Sequence, residues 1–232
     1  MKIITNEKLI KRYRIIGNIA LIASLVVIGV GFYFLMKENS LIWGAVTMSV
    51  SFILSQIGIF FGNRFGVRPP LHEQISQQLK GLDNRYHLFH YSTIVSHLLI
   101  GPSGIWILIP FAQKGKISFN QKKNRWQQKG VSLFAKIFMQ ENLGRPDLEV
   151  QSAIKDVEKE FNKIYKGQVA PQVNALMFFT HPKSEVIATD SPIPAVPLRK
   201  IKDFIRQKSK SNSITDQQLA NLMTFLPISE VE

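Results

Sequence analysis

The residues with chemistry to offer are few. The 232-residue chain has five histidines, His72, His87, His90, His97 and His181, and no cysteine. Without thiols, disulfides, cysteine-ligated zinc, iron–sulfur clusters and thiol nucleophiles are excluded. His87 and His90 stand three apart in a segment that reads as a strand, so they point to opposite faces and do not share a metal. His97 lies at the head of an apolar run and is expected to stabilise a strand hairpin. Gly101-Pro102-Ser103-Gly104 is not a phosphate-binding loop, since no helix opening on Lys-Ser/Thr follows. There is no G-x-S-x-G elbow and no H-E-x-x-H helix. No metal and no cofactor are expected.

The charge pattern is more informative. Lys and Arg number 29 against 16 Asp and Glu, a net charge of +13. Between Asn84 and Gln140 there is no acid at all, while Arg85, Lys114, Lys116, Lys122, Lys123, Arg125, Lys129 and Lys136 supply bases. Lys122, Lys123, Arg125 and Lys129 surround Trp126. Basic groups with an aromatic can bind single-stranded nucleic acid by phosphate contact and stacking. The same surface suits anionic lipid headgroups, at about 1 kcal/mol per basic residue near the bilayer. A solvated basic loop is the third reading.

These residues must be positioned by elements, and hydropathy divides the elements sharply. Ile15–Met36 and the run from Asn39 to Asn63 carry no charge. Each is long enough to cross a bilayer as a helix, which takes about 20 residues. A second span follows the first at once, which does not fit a cleaved leader. Lys37, Glu38, Asn39 and Ser40 then form a tight turn. Lys2, Lys8, Lys11, Arg12 and Arg14 flank the first span, and Arg64 and Arg68 follow the second. The positive-inside rule puts both ends in the cytoplasm, anchored in a prokaryotic plasma membrane. Small residues four apart, Ala45/Ser49, Ser51/Ser55 and Gly58/Gly62, are expected to pack the second span on the first or on a second copy.

The expected organisation is a basic flank over 1–14, a transmembrane hairpin over 15–62 (helices 15–36 and 41–62) and a cytoplasmic domain over 63–232 with its core at 71–208. In that domain Leu71–Leu82 reads as a helix with one apolar face. Strands are expected at Tyr86–Tyr91, Thr93–Ile100, Ile105–Ile109, Lys116–Phe119, Val173–Thr180 and Glu185–Ala188. A turn at Gly101–Gly104 should join two of them, Trp126 should sit in a polar loop, and Ser191–Pro197 should be a connector. Helices are expected from Pro146 to Lys166, from Leu198 to Gln207 and from Thr215 to Phe225, the last capped by Thr215. The order implies an α/β (α+β) fold, a mixed sheet flanked by helices.

The run Ser96-His97-Leu98-Leu99-Ile100-Gly101-Pro102-Ser103-Gly104-Ile105-Trp106-Ile107-Leu108-Ile109, followed by Gly115-Lys116-Ile117, resembles the core of the NERD (nuclease-related domain) family. That family shows D-H, three apolar residues, G-P-x-G, an apolar strand ending in E-x-K, then a glycine turn and a downstream Trp, matched here by Trp126. Glu73 matches an acid on the family's opening helix. The resemblance covers roughly Leu71–Gly130 and implies a restriction-endonuclease-like fold. It also implies what is missing. The acid before the histidine is Ser96, the strand Glu is Ile109 and the Lys is Phe111. Such nucleases hold Mg²⁺ with paired carboxylates and position the attacking water with the lysine. Ser, Ile and Phe do neither, and the acid-free window offers no substitute. The expectation is a non-enzymatic, membrane-anchored binding or scaffolding module with Lys114, Lys116, Lys122, Lys123, Arg125 and Lys129 as its contact surface. Two alternatives stand beside it. One is a residual metal-dependent nuclease acting on DNA or RNA through Glu73; the other is an accessory subunit that meets a protein partner through its hairpin.

Overall fold

The computed structural model describes residues 1–37, 41–138, 141–165, 172–189, 191–211 and 214–224. The chain divides into two units. One joins Met1–Asn6 to the chain from His72 onward, and the other is Glu7–Leu71. The helical unit is therefore an insertion between the first strand and the rest of the α/β unit, not a segment that precedes it.

The helical unit consists of α1 (Glu7–Leu35), α2 (Leu41–Phe61) and a π-helical turn over Gly62–Gly66. Both long helices are long and apolar enough to cross a membrane. The expected residues 38–40 of the turn lie outside the described residues. Residues 7–14 of the expected basic flank form the first turns of α1, so the helix starts at Glu7 rather than Ile15. The two helices meet through small residues seven apart, Gly17, Ser24 and Gly31 facing Gly44, Ser51 and Gly58, all of them buried. A Cβ on Gly58 would strike the Leu21 side chain, and one on Gly31 would lie 2.8 Å from Thr47 Oγ1. At the centre the Ser51 hydroxyl donates to the Ser24 carbonyl at 2.8 Å.

This corrects the four-residue spacing expected from the sequence. Ala45 and Ser49 are exposed, and Ser49 Oγ donates to its own helix at Ala45 O, 2.9 Å away. A repeat of four drifts around a helix of 3.6 residues per turn, whereas a repeat of seven holds one seam along two coiled helices. The large apolar side chains face outward, with Leu25 70%, Ile42 79% and Trp43 63% exposed.

In the α/β unit, a six-stranded sheet runs in the order β1 (Lys2–Thr5), β2 (His87–His90), β3 (His97–Gly101), β4 (Gly104–Phe111), β7 (Val173–Phe179), β9 (Ala195–Pro197). The sheet is mixed: β1/β2, β4/β7 and β7/β9 are parallel, while β2/β3 and β3/β4 are antiparallel. Strand β1 falls in the expected flank, and β9 at the end of the expected connector. A second sheet orders β6 (Arg125–Lys129), β5 (Gly115–Asn120) and β8 (Ser184–Ile187).

The central strands are buried on both faces, which is why Ile105–Ile109 reads as a continuous apolar run. Ile105, Ile107, Ile109 and Phe111 alternate onto one face with Val173, Ala175, Met177 and Phe179. There they pack with Val150, Val157 and Phe161 of α5 (Pro146–Tyr165). On the other face the Trp106 ring meets Phe204 of α6 (Ile201–Ser211) edge-on at 5.4 Å. The helix α3 (Leu71–Leu79) buries Ile75 and Leu79 completely. Between β6 and α5 lies the short α4 (Leu133–Phe138). The last helix, α7 (Asp216–Thr224), opens on a reciprocal capping box. Thr215 Oγ1 accepts from Gln218 N–H at 3.3 Å, and Gln218 Oε1 accepts from Thr215 N–H at 3.0 Å.

The seam predicts a selective sensitivity. Gly58→Ile should force α1 and α2 apart and destabilise the helical pair by about 1–3 kcal/mol. Gly29→Ile, where a new Cβ meets nothing, should be neutral. Unfolding of both variants in detergent micelles measures the difference, and equal losses would refute the seam.

Candidate polyanion-binding surface

The basic residues are displayed by the β5–β6 hairpin. Asn120 Oδ1 accepts from Lys123 N–H at 3.0 Å and Asn124 takes a left-handed conformation, so a tight turn carries Lys122 and Lys123 outward. Alternation along β6 then exposes Arg125 and Lys129 and turns Trp126 inward. The segment 141–144 is tied against this hairpin. Leu143 N–H donates to Gln128 Oε1 at 3.1 Å, Gln113 Nε2 donates to Asn142 O at 3.3 Å, and Lys114 meets Glu141 at 2.8 Å. A cleft of about 450 Å³ results, with Lys123, Arg125, Lys129 and Lys136 among its lining.

The structure separates the six predicted cations. Lys114 is taken by Glu141, and Lys116 faces Glu185 across the β5–β8 pair at 3.9 Å. Both acids lie outside the acid-free window and reach it only through the fold. Among the described residues no ion pair involves Lys122, Lys123 or Lys129. Asp147, the nearby acid at the head of α5, is engaged by Arg145 at 2.7 Å. That guanidinium holds the Asp147 carboxyl below its usual range, with a smaller contribution from the charge of Arg125. Lys136, not singled out from the sequence as a site residue, joins the cleft from α4.

Trp126 corrects the sequence reading. It is not in a loop but in β6, 3% exposed, with its ring edge-on to Phe119 at 5.6 Å. Its face is not open to a stacking base. The exposed aromatics of this surface are instead Phe134 and Phe138 of α4, stacked on each other at 4.9 Å.

The positions that the nuclease resemblance assigns to a strand acid and a lysine are filled with apolar groups. Ile109 and Phe111 are about 5% exposed and sit in the main core, Phe111 stacked on Phe179 at 5.4 Å. Ser96 is half-buried in the β2–β3 loop, its carbonyl accepting from Tyr91 N–H at 2.8 Å. Glu73 is exposed in the first turn of α3. Among the described residues no three His, Asp or Glu side chains gather into a metal-holding group.

The Gly101–Gly104 turn has a structural account at each residue. A Cβ at Gly101 would enter the Tyr86 ring, and Gly104 has φ +99°. Pro102 O accepts from Ile214 N–H at 2.9 Å and Ser103 O from Trp106 Nε1–H at 3.0 Å. Gly115 opens β5, with its N–H donating to Lys183 O at 3.2 Å.

A second cluster was not legible in the sequence. The β2–β3 register sets His90 directly opposite His97, and α3 adds His72 and Ser76. The His90 and His97 Nδ1 atoms are 2.8 Å apart, and Ser76 Oγ lies 2.9 Å from His90 Nε2. The His72 ring stands edge-on to His90 at 5.9 Å. Burial, helped by the charge of His72, pushes His90 down to about 3. His90 is therefore neutral and carries one N–H, so the three groups polarise in one of two directions. Either Ser76 donates to His90 and His90 to His97, or the reverse holds. A serine beside an oriented histidine has the form of an activated nucleophile. A base poised near 3, however, takes up a proton poorly at neutral pH. The cluster acts as a polar tie between α3, β2 and β3.

No family model, curated protein or solved structure matches the chain.

The tie predicts a pH signature. The folded state holds His90 far below the ordinary histidine value of 6.5. The unfolded chain therefore binds the extra proton between about 3 and 6.5, and stability rises with pH across that window. The slope should reach about 1.4 kcal/mol per pH unit and vanish above about 6.5. His90→Phe should reduce it to the smaller part left by His87, whose imidazole burial also pushes down, while His90→Ala should cost about 2–4 kcal/mol at neutral pH through the cavity and the stranded partners. Denaturant titrations from pH 4.5 to 7.5 compare the slopes.

Proposed function

We propose that the chain is a membrane-anchored, catalytically degenerate nuclease-related domain that works as a binding or scaffolding module at the cytoplasmic face. The observation that carries the anchor is the inside-out helical pair. Small and polar residues line its seam, and Leu25, Ile42 and Trp43 face outward. Lipid-facing pairs have that pattern, because close backbone approach rather than apolar burial holds them together. A buried helix of a soluble core has its large apolar groups inside.

Connectivity supports a crossing that returns to its starting side. Residues 2–5 pair with residues 87–90 in one sheet, so both flanks of the helical unit lie on the same side of any bilayer it enters. Two spans meet that requirement and one span cannot. Lys8, Lys11, Arg12 and Arg14 before the spans and Arg64 and Arg68 after them favour the cytoplasm for that side.

The degenerate character is supported by Ile109 and Phe111. Their positions, which the nuclease resemblance assigns to a strand Glu and a Lys, are packed against Met177 and Phe179 in the core. A carboxylate there would lose its hydration without a cation to replace it. The mixed sheet with flanking helices is compatible with a restriction-endonuclease-like fold.

Two experiments test the two halves. The full chain expressed in bacteria should stay with membranes through alkaline carbonate and leave them only with detergent; release by carbonate removes the anchor. The detergent-purified chain should give no turnover of DNA or RNA with Mg²⁺ or Mn²⁺. Turnover lost on Glu73→Ala would establish a residual nuclease instead.

A further inference from the structure

We infer that α4 and the basic cleft beside it form a second membrane contact, one that takes the anionic phospholipid surface of the leaflet in which the chain is anchored. In the α/β unit α4 buries Ala135 and leaves Leu133 76%, Phe134 64% and Phe138 44% exposed. Single exposed apolar residues are ordinary, but a contiguous apolar ridge on a folded surface marks something that covers it. Phe134 and Phe138 lie one turn apart, their rings stacked at 4.9 Å, so they present one flat apolar edge.

What covers the ridge is indicated by its border. Lys136 of α4 shares the cleft with Lys123, Arg125 and Lys129, and Lys122 stands next to Lys123 on the hairpin turn. The nearby acids Glu141 and Asp147 are already paired with Lys114 and Arg145. Exposed Leu and Phe on a short helix whose Lys136 opens onto a cleft lined by further cations match the pattern of an interfacial helix. The apolar edge enters the boundary between headgroups and acyl chains, and the cations meet lipid phosphates.

A nucleic acid would satisfy the cations but leave Leu133 and Phe134 in water, and the aromatic ring nearest the cations, Trp126, is buried. A protein partner would have to be recruited from solution. The bilayer is already at hand, because Asn6 and Leu71 tether the α/β unit to the helical pair at both ends. The inference rests on the reading of that pair as an anchor.

The absence of cysteine makes the test clean. The full chain carrying Phe134→Cys with a nitroxide label is placed in nanodiscs of phosphatidylcholine alone or with phosphatidylglycerol. Relaxation by oxygen is compared with relaxation by an aqueous nickel chelate. The label should be lipid-accessible in the phosphatidylglycerol discs and aqueous in the neutral ones. A label at the exposed Lys210→Cys should stay aqueous in both.

Lys122→Glu, Lys123→Glu and Lys129→Glu together should lower the lipid-contacting population about a hundred-fold or more. Their fold is checked by circular dichroism. An aqueous label in both kinds of disc, with the chain retained, overturns the membrane contact and leaves the anchor standing. A label that leaves water only when single-stranded RNA or a purified protein is added also overturns it, in favour of that partner. Loss of the chain from the discs overturns anchor and contact together.

Discussion

The parallel pairing of β1 with β2 is the constraint on which the rest of the molecule depends. Four residues at the beginning of the chain, Lys2–Thr5, take register against His87–His90. The joint is reinforced at both ends: Lys2 N–H donates to Tyr86 O at 2.8 Å and Asn6 N–H to His90 O at 2.9 Å. Everything from Glu7 to Leu71 hangs between the two partners. An edge strand this short would not alone repay the closure of so long a loop. The helical pair reduces the difficulty from within. Its antiparallel packing brings Tyr13 near the start of α1 onto Phe61 at the end of α2 and Phe65 just beyond it, at 5.3 and 5.2 Å. With the two ends of the pair held close together, the loop left for β1 and β2 to close is effectively much shorter.

The parts legible in the sequence were those whose signal is local. The two uncharged runs, the turn between β3 and β4 and the apolar periodicity of α5 each lie within a short stretch of chain. Strand β1 was missed because Lys-Ile-Ile-Thr is short and its partner lies more than 80 residues away. The helix seam was misread for a different reason. Gly17, Ser24, Gly31 and Gly44, Ser51, Gly58 repeat every seven residues, but the commoner four-residue pattern lies on top of them in α2. Which period matters is decided by the partner helix, and one helix does not reveal it. The histidine cluster needed the strand register. Reading β3 from Thr93 instead of His97 hides the pairing that sets His97 against His90.

The turn at Gly101–Gly104 shows how a motif is held by structure alone. Tyr86 excludes any side chain at Gly101, Gly104 needs a positive φ, and the carbonyls of Pro102 and Ser103 are already engaged by Ile214 and Trp106. None of these demands involves a reacting group. Ile109 and Phe111 lie further along the same hairpin and take no part in the turn; both are buried in the main core. The turn serves the β3–β4 hairpin, and those two positions serve the core that α5 covers. The demands of the turn and those of the core thus fall on different residues of the same strand.

Charge follows the same separation. The one-dimensional window without acids suggested that eight basic residues shared one role, and three dimensions divide them. Arg85 is taken by Asp83 at 2.8 Å, Lys114 by Glu141 and Lys116 by Glu185. The acids that do this lie before the window or arrive from the segments beyond it. The uncompensated charge is what the β5–β6 turn, β6 and α4 hold out together. Lys136 joins that charge to the helix that exposes Leu133, Phe134 and Phe138. Solvation of the lysines accounts for the basic face but not for the exposure of Leu133 and Phe134 on α4. At a bilayer interface both kinds of group are accommodated at once, the lysines by lipid phosphates and Leu133 and Phe134 by the acyl boundary.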